Sequence, residues 1–83
     1  DEAVANNFSV YPNPSIGVFT IDFDGNVSNI ELSILDLNGR TVHTQAIVTN
    51  KTNVNLSTIA NGVYTVVLVS NDTVSTTKLV VAK

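Results

Sequence analysis

The chain has 83 residues, no cysteine, a formal net charge of −3 and only 13% charged residues. Its four Lys and Arg residues provide no basic patch for nucleic acid or an anionic membrane surface, and no apolar run reaches the length of about 20 residues that a membrane span needs. Because the chain has no cysteine to form a disulfide, packing alone has to stabilise it. A domain of this size can bury about 63% of the surface that its unfolded chain exposes.

Apolar and polar residues alternate along most of the chain, and Val, Thr and Ile are abundant, which predicts an all-β domain. Residues 1–7, DEAVANN, have no such alternation, and we interpret them as a linker tail before a domain at residues 8–83. Short strands between turn residues favour an antiparallel sandwich of two sheets with about seven strands. The predicted strands are 8–11, 18–23, 30–37, 40–48, 52–56, 63–70 and 73–82.

The stretch YPNPSIG at 11–17 predicts the first turn. Pro12 and Pro14 have no amide hydrogen to donate to a sheet, and each forces the residue before it into an extended conformation. The first strand therefore ends here, and Gly17 begins the next one.

Asn38 and Gly39 separate two strand-like runs, and both tolerate the positive φ of a two-residue type I′ hairpin. Arg40 follows the glycine and is open to two interpretations. It either pairs with Asp36 across the turn or contacts a partner at the surface.

The run at 63–70 is apolar on both faces, which predicts a central strand, and residues 71–72 form a turn that pairs it with the last strand. Before it, Asn61 and Gly62 form a turn and Tyr64 follows, as in the tyrosine corner of immunoglobulin-like sandwiches. The alternative, that Tyr64 is a general acid, requires a perturbing charge and a cleft that the neighbouring sequence does not supply.

The sequence contains no motif for catalysis, a cofactor or a metal. His43 would need a Ser and an Asp to meet it in a triad, and without a nucleophile elbow we interpret it as a surface or hairpin histidine. The DFDGN stretch at 22–26 is similar to a calcium loop, but Val27 and Ser33 stand where that template needs Gly and Glu. Asp22 and Asp24 therefore indicate an acidic turn.

Four stretches, FSVYPNPSIGVFTIDF, LSILDLNGRTVHT, LSTIANGVYTVVL and the closing TTKLVVAK, resemble a known family in order and spacing. The family is the C-terminal sorting domain (type A) of the type IX secretion system of Bacteroidetes. The resemblance covers Phe8 to Lys83 and ends with the last residue of the chain.

The resemblance implies an immunoglobulin-like sandwich that is fused behind an unrelated secreted cargo and has no enzymatic activity. The cargo crosses the inner membrane by an ordinary signal peptide. The type IX outer-membrane translocon and its shuttle components then recognise the domain, and a surface sortase-like peptidase cuts it off. The resemblance thus implies a secreted protein that passes through the periplasm to the outer-membrane surface or the medium.

In the family the final strand and its terminal lysine are part of the address. We therefore expect recognition at Lys78, Leu79, Val80, Val81, Ala82 and Lys83. An extended segment offers unpaired backbone groups for β-augmentation, and Lys83 adds an ammonium and a carboxylate. The residues that match the family's structural motifs are Pro12, Asn13, Pro14, Gly17, Asn38, Gly39, Arg40, Gly62 and Tyr64.

An adhesive or carbohydrate-binding accessory module is the alternative function. Such modules present exposed aromatic rings, whereas this chain has no Trp and five Phe or Tyr residues, most of them with apolar neighbours. A structural spacer between catalytic domains is less consistent with a domain that closes the chain.

Overall fold

The computed structural model of the protein describes residues 8–25, 29–70 and 73–83. These residues form strands and no helix, which confirms the predicted all-β fold, and they contain no helix that could span a membrane. The strands are β1 (Phe8–Tyr11), β2 (Val18–Phe23), β3 (Ile30–Leu35), β4 (Thr41–Ile47), β5 (Lys51–Asn55), β6 (Gly62–Ser70) and β7 (Thr73–Val81).

The strands form two antiparallel sheets. One has the order β1-β2-β5 and the other the order β4-β3-β6-β7. These orders correspond to strands A-B-E and C′-C-F-G of an immunoglobulin-like sandwich. Because β6 lies between β3 and β7, the predicted central position of this strand is confirmed.

The core lies between the sheets and follows from the alternation along each strand. In β6, for example, Tyr64, Val66 and Leu68 are buried on one face. Val66 follows Tyr64 by two residues, where antibody domains carry a disulfide cysteine, so aliphatic packing replaces the bridge here. The buried apolar residues are Phe19, Ile21, Ile30, Leu32, Ile34, Ile47, Val54, Tyr64, Val66, Leu68, Leu79 and Val81.

The β3–β4 hairpin is present, but the predicted type I′ turn is wrong. The N–H of Gly39 donates to the Asp36 carbonyl (3.0 Å), and Gly39 has a φ of 81° while Asn38 is not in the positive region. This is a type I turn followed by a glycine bulge. The Asp36 side chain explains the difference, because its Oδ1 accepts the N–H groups of Asn38 (2.9 Å) and Arg40 (3.0 Å).

Arg40 also pairs with Asp36 through its side chain, which is one of the two roles predicted for it. Its Nε lies 3.4 Å from Asp36 Oδ2. The hydrogen bond from the Arg40 backbone N–H lowers the pKa of Asp36, with further contributions from the Asn38 N–H and the Arg40 guanidinium. The turn is therefore built around an ionised carboxylate.

The connections lie at two ends of the sandwich. One end holds 12–17, 36–40 and 56–61, together with residues 82–83, because β1, β3 and β5 run toward it and β7 finishes there. Phe8 lies at the opposite end, where it pairs with Phe23. We call the first of these the closing end.

The outer face of the four-stranded sheet is rich in aliphatic and hydroxyl side chains. The strand registers place two rows across this face, Ala46-Glu31-Val69-Val74 and Thr44-Ser33-Val67-Thr76. In these rows Glu31 is the charged residue, and Val74 is 60% exposed.

Three predictions fall outside the described residues. They are the linker tail at residues 1–7, the turn at 71–72 and the position of Val27 in the comparison with a calcium loop. The pairing of β6 with β7 that the turn was expected to produce is present, from Ser70 and Thr73 to Gly62 and Val81.

Replacing Val66 by Ala should lower the free energy of unfolding by about 1–3 kcal/mol, because the residue is fully buried and the change leaves a cavity. Val69→Ala is the matched control, since Val69 lies on the outer face of the same strand and is 36% exposed. Urea unfolding of both variants measures the difference. Equal losses would mean that β6 does not have the interior and exterior faces described above.

Candidate functional site at the closing end

The segment from Pro12 to Gly17 joins β1 to β2 of the three-stranded sheet and contacts β7 of the other sheet on the way. β1 ends at Tyr11, before two prolines that cannot donate to a sheet, and both X-Pro peptide bonds are cis. The chain then crosses to the other sheet, where Ser15 forms a parallel bridge with Val81.

Asn13 and Ser15 close the outer edge of β7. Asn13 Nδ2 donates to the Lys78 carbonyl (2.9 Å), and the N–H of Val80 donates to Asn13 Oδ1 (3.0 Å). The N–H of Ser15 donates to the Val80 carbonyl (2.8 Å), and the N–H of Ala82 donates to the Ser15 carbonyl (2.8 Å). We call these two residues and their four hydrogen bonds the bracket.

The bracket corrects the expectation that Lys78 to Ala82 offer unpaired backbone groups. The carbonyls of Lys78 and Val80 and the N–H groups of Val80 and Ala82 already have partners within the domain. A partner strand therefore cannot add along this stretch while the bracket is formed. Leu79 and Val81, the residues between them, are in the core.

Ser15 and Gly17 bring the bracket into contact with the connection between β5 and β6. Ser15 is 2% exposed, and its Oγ accepts the N–H of Gly17 (2.8 Å). Gly17 has a φ of 105°, and a Cβ there would lie 2.8 Å from the Leu56 carbonyl oxygen. The N–H of Leu56 donates to the Gly17 carbonyl (2.7 Å), so only glycine allows this close approach.

The Tyr64 hydroxyl holds the same connection from the other side. It donates to the Ala60 carbonyl at 2.6 Å, four residues upstream, which is the geometry expected of a tyrosine corner. Tyr64 is 7% exposed, so its ring belongs to the core and its hydroxyl is satisfied. Gly62 lies between the two, at the start of β6.

Lys83 is bonded back to the domain through both its backbone and its side chain. Its N–H donates to Asn61 Oδ1 (3.1 Å), and its Nζ donates to the Ser57 carbonyl (2.7 Å) and to the Ile59 carbonyl. The ammonium expected to be a free handle for a partner is therefore occupied by carbonyl oxygens of the β5–β6 connection.

The six residues expected to be recognised are thus in different environments. Leu79 and Val81 are buried, Val80 is partly buried on the outer face, and Ala82 is exposed. Lys78 is exposed on the outer face of β7 and pairs across the sheet with Thr65.

Sequence reasoning did not identify Ser15, Ser57, Ile59 and Asn61 as parts of this site. Ser57, Ile59 and Asn61 contact Lys83 from more than 20 residues away, and three of these bonds use backbone carbonyls or a common amide side chain. A serine between a proline turn and a glycine gave no signal either, because its long-range bonds use only backbone atoms.

His43, the residue considered for a catalytic triad, contacts a neighbour on its own strand. His43 Nε2 lies 2.7 Å from Gln45 Oε1 on the same strand, and no group of three or more potential metal ligands converges in residues 8–25, 29–70 and 73–83. Among the five aromatic residues, Tyr11 is exposed at 42%, and its hydroxyl contacts Asp22 Oδ2 (3.4 Å).

The two sheets, their strand order and the tyrosine corner define an immunoglobulin-like β-sandwich. The family described as the secretion system C-terminal sorting domain matches residues 9–82, and the chain therefore belongs to this family. This membership, which confirms the resemblance of the four stretches, implies a secreted protein that interacts with the type IX secretion machinery. The family is one of sorting signals and not one of enzymes. A search of curated proteins finds no match to the chain.

Replacing Asn13 by Ala should open one half of the bracket. The N–H of Val80 loses its acceptor, and its hydrogen exchange should accelerate by about fivefold or more, while the Ala82 amide keeps its bond to Ser15. Amide exchange measured by NMR tests this.

Asn38→Ala is the matched control, because Asn38 uses its backbone N–H in an exposed turn. It should leave the exchange of Val80 unchanged. Unchanged exchange of Val80 in Asn13→Ala as well would contradict the bracket.

Proposed function

We propose that this domain is a non-enzymatic export address for a covalently fused upstream cargo. In this proposal the type IX outer-membrane translocon and its shuttle components recognise the domain in the periplasm and move the cargo to the outer-membrane surface or the medium. The observation that carries the proposal is the family match over residues 9–82.

The recognised stretch in this proposal is Lys78 to Lys83, presented as part of a folded surface. The bracket holds its backbone, so a partner contacts exposed side chains, above all the ammonium of Lys78, and the surface around Ala82. The bonds of Lys83 to the Ser57 and Ile59 carbonyls keep the end of the stretch in place. Lys83 thus stabilises the recognised stretch through its hydrogen bonds to the rest of the domain.

Processing follows export in the same proposal. A surface sortase-like peptidase cuts within residues 1–7 or just before them, since the polar sequence DEAVANN has no strand-like alternation and an unpaired segment enters a protease cleft more easily than a paired strand. The cargo is then released or passed to a surface anchor.

A sufficiency experiment tests the export function. A periplasm-directed fluorescent protein carrying residues 1–83 at its carboxyl end should leave a type IX-competent bacterium and remain inside a translocon-null strain. The same reporter without the domain is the control. Equal retention of an intact, folded fusion in both strains would falsify the assignment.

A pair of charge reversals tests the recognised stretch. Lys78→Glu should reduce export of the reporter by about tenfold, the factor that corresponds to about 1.4 kcal/mol of lost partner contact. Lys51→Glu is the matched control, because Lys51 is also an exposed edge-strand lysine but lies on the other sheet. Both variants should unfold within about 0.5 kcal/mol of the parent. Export of both at the same level would count against recognition at Lys78.

A further inference from the structure

The bracket closes only one half of the outer edge of β7. Groups of Lys78 and Val80 face the bracket, so in this antiparallel strand the even-numbered residues direct their N–H and C=O groups away from β6. Val74 and Thr76 therefore do the same. Within residues 8–25, 29–70 and 73–83, β6 is the one strand that pairs with this half.

The open half, which presents the outward-facing backbone groups of Val74 and Thr76, lacks the features that protect other edges. β1 is four residues long and is followed by Pro12, β5 carries Lys51, and the edge strand β4 pairs with β3 through an irregular register at Ile34 and Leu35. Short strands, charges, prolines and bulges are the devices that prevent strand addition. The sequence TVSTT has neither a charge nor a proline.

An aliphatic surface adjoins the open half. Val74 is 60% exposed and pairs across the sheet with Val69, which is 36% exposed, and Thr76 pairs with the partly buried Val67. The opposite side of β7 at this level presents Ser75 and Thr77, both partly buried. A strand added here would meet valine side chains on one face and hydroxyl-bearing side chains on the other.

We propose that the open half of β7 docks an extended, uncharged polypeptide segment of a translocon component, which adds to the four-stranded sheet as a fifth strand. Backbone donors and acceptors repeating every second residue match the backbone of another strand. The bracket shows that the same edge already binds amide and carbonyl groups in its other half. The identity of the partner rests on the proposed export function, and the site itself rests on the edge.

The chemistry of the segment follows from its surroundings. Aliphatic side chains at alternate positions would pack on Val74, beside Val69 of β6, and small or polar side chains would lie on the same side of the sheet as Thr77. The added strand would end at Lys78, because the Lys78 carbonyl already accepts a hydrogen bond from Asn13 Nδ2. The exposed lysine then marks the boundary between the half that is filled within the domain and the half that a partner fills.

Substitutions at Thr76 test this inference in the exporting reporter fusion. Thr76→Pro removes an N–H that faces away from β6, and Thr76→Lys places a charge on the edge. Thr76→Pro should reduce export by about tenfold, the factor expected for one or two lost backbone hydrogen bonds. Thr76→Lys should also reduce export, because a charge on the edge opposes strand addition. Thr44→Lys is the matched control, since Thr44 is the exposed residue at the other end of the same cross-sheet row.

We expect Thr44→Lys to export like the parent, and both lysine variants to melt like the parent. Parental export by both Thr76 variants would overturn the docking site while leaving the export function intact. Failure of the parent fusion to leave a type IX-competent cell would instead overturn the export function and, with it, the partner named here. Sedimentation of the purified domain adds a further arm: self-association that Thr76→Lys abolishes and Thr44→Lys preserves would show that a second copy occupies the edge, against the proposal.

Discussion

The architecture depends on the hydrogen bonds with which Asn13 holds β7. Asn13 lies between two prolines, where the backbone cannot supply the N–H that a strand would donate. Its side-chain amide has one donor group and one acceptor, and it places them on Lys78 and Val80 as a neighbouring strand would. A side chain therefore completes the edge of one sheet from within the connection between two strands of the other sheet, and Ser15 continues the pairing through its backbone.

This contact makes the closing end one hydrogen-bonded unit. Ser15 of the bracket is hydrogen-bonded to Gly17, and Gly17 is hydrogen-bonded to Leu56. The connection after Leu56 is hydrogen-bonded to Tyr64 and Lys83. The segments near residues 15, 58 and 82 are hydrogen-bonded to one another, so none of them has all of its hydrogen bonds until the other two have folded into place. Contacts of such sequence separation close large loops, so we expect this end to form late in folding. We therefore expect Lys78 to Lys83, the stretch proposed to be recognised, to be ordered only in a completed domain.

Much of this fold could be predicted from alternation and turn residues, since both are local signals. All seven strands occur near the predicted positions, and the bond of Tyr64 to Ala60 spans only four residues. The turn type at Asn38 was missed because the Asp36 side chain, which no pattern of apolar residues describes, sets the backbone. The partners of Asn13 and Lys83 lie 20 or more residues away, and residue type alone does not identify such pairs. For that reason the sequence suggested a free terminal edge where the structure has an occupied one.

The placement of the two termini has a mechanical consequence. Residues 1–7 join the sandwich at Phe8, at the end opposite Ala82 and Lys83. Tension between these points runs along the strands, while the hydrogen bonds of β1 with β2 and of β6 with β7 lie across them. The bonds are then loaded in shear and share the force, and they do not open one after another. A domain gripped at its closing end can transmit a pull to whatever it is attached to and stay folded.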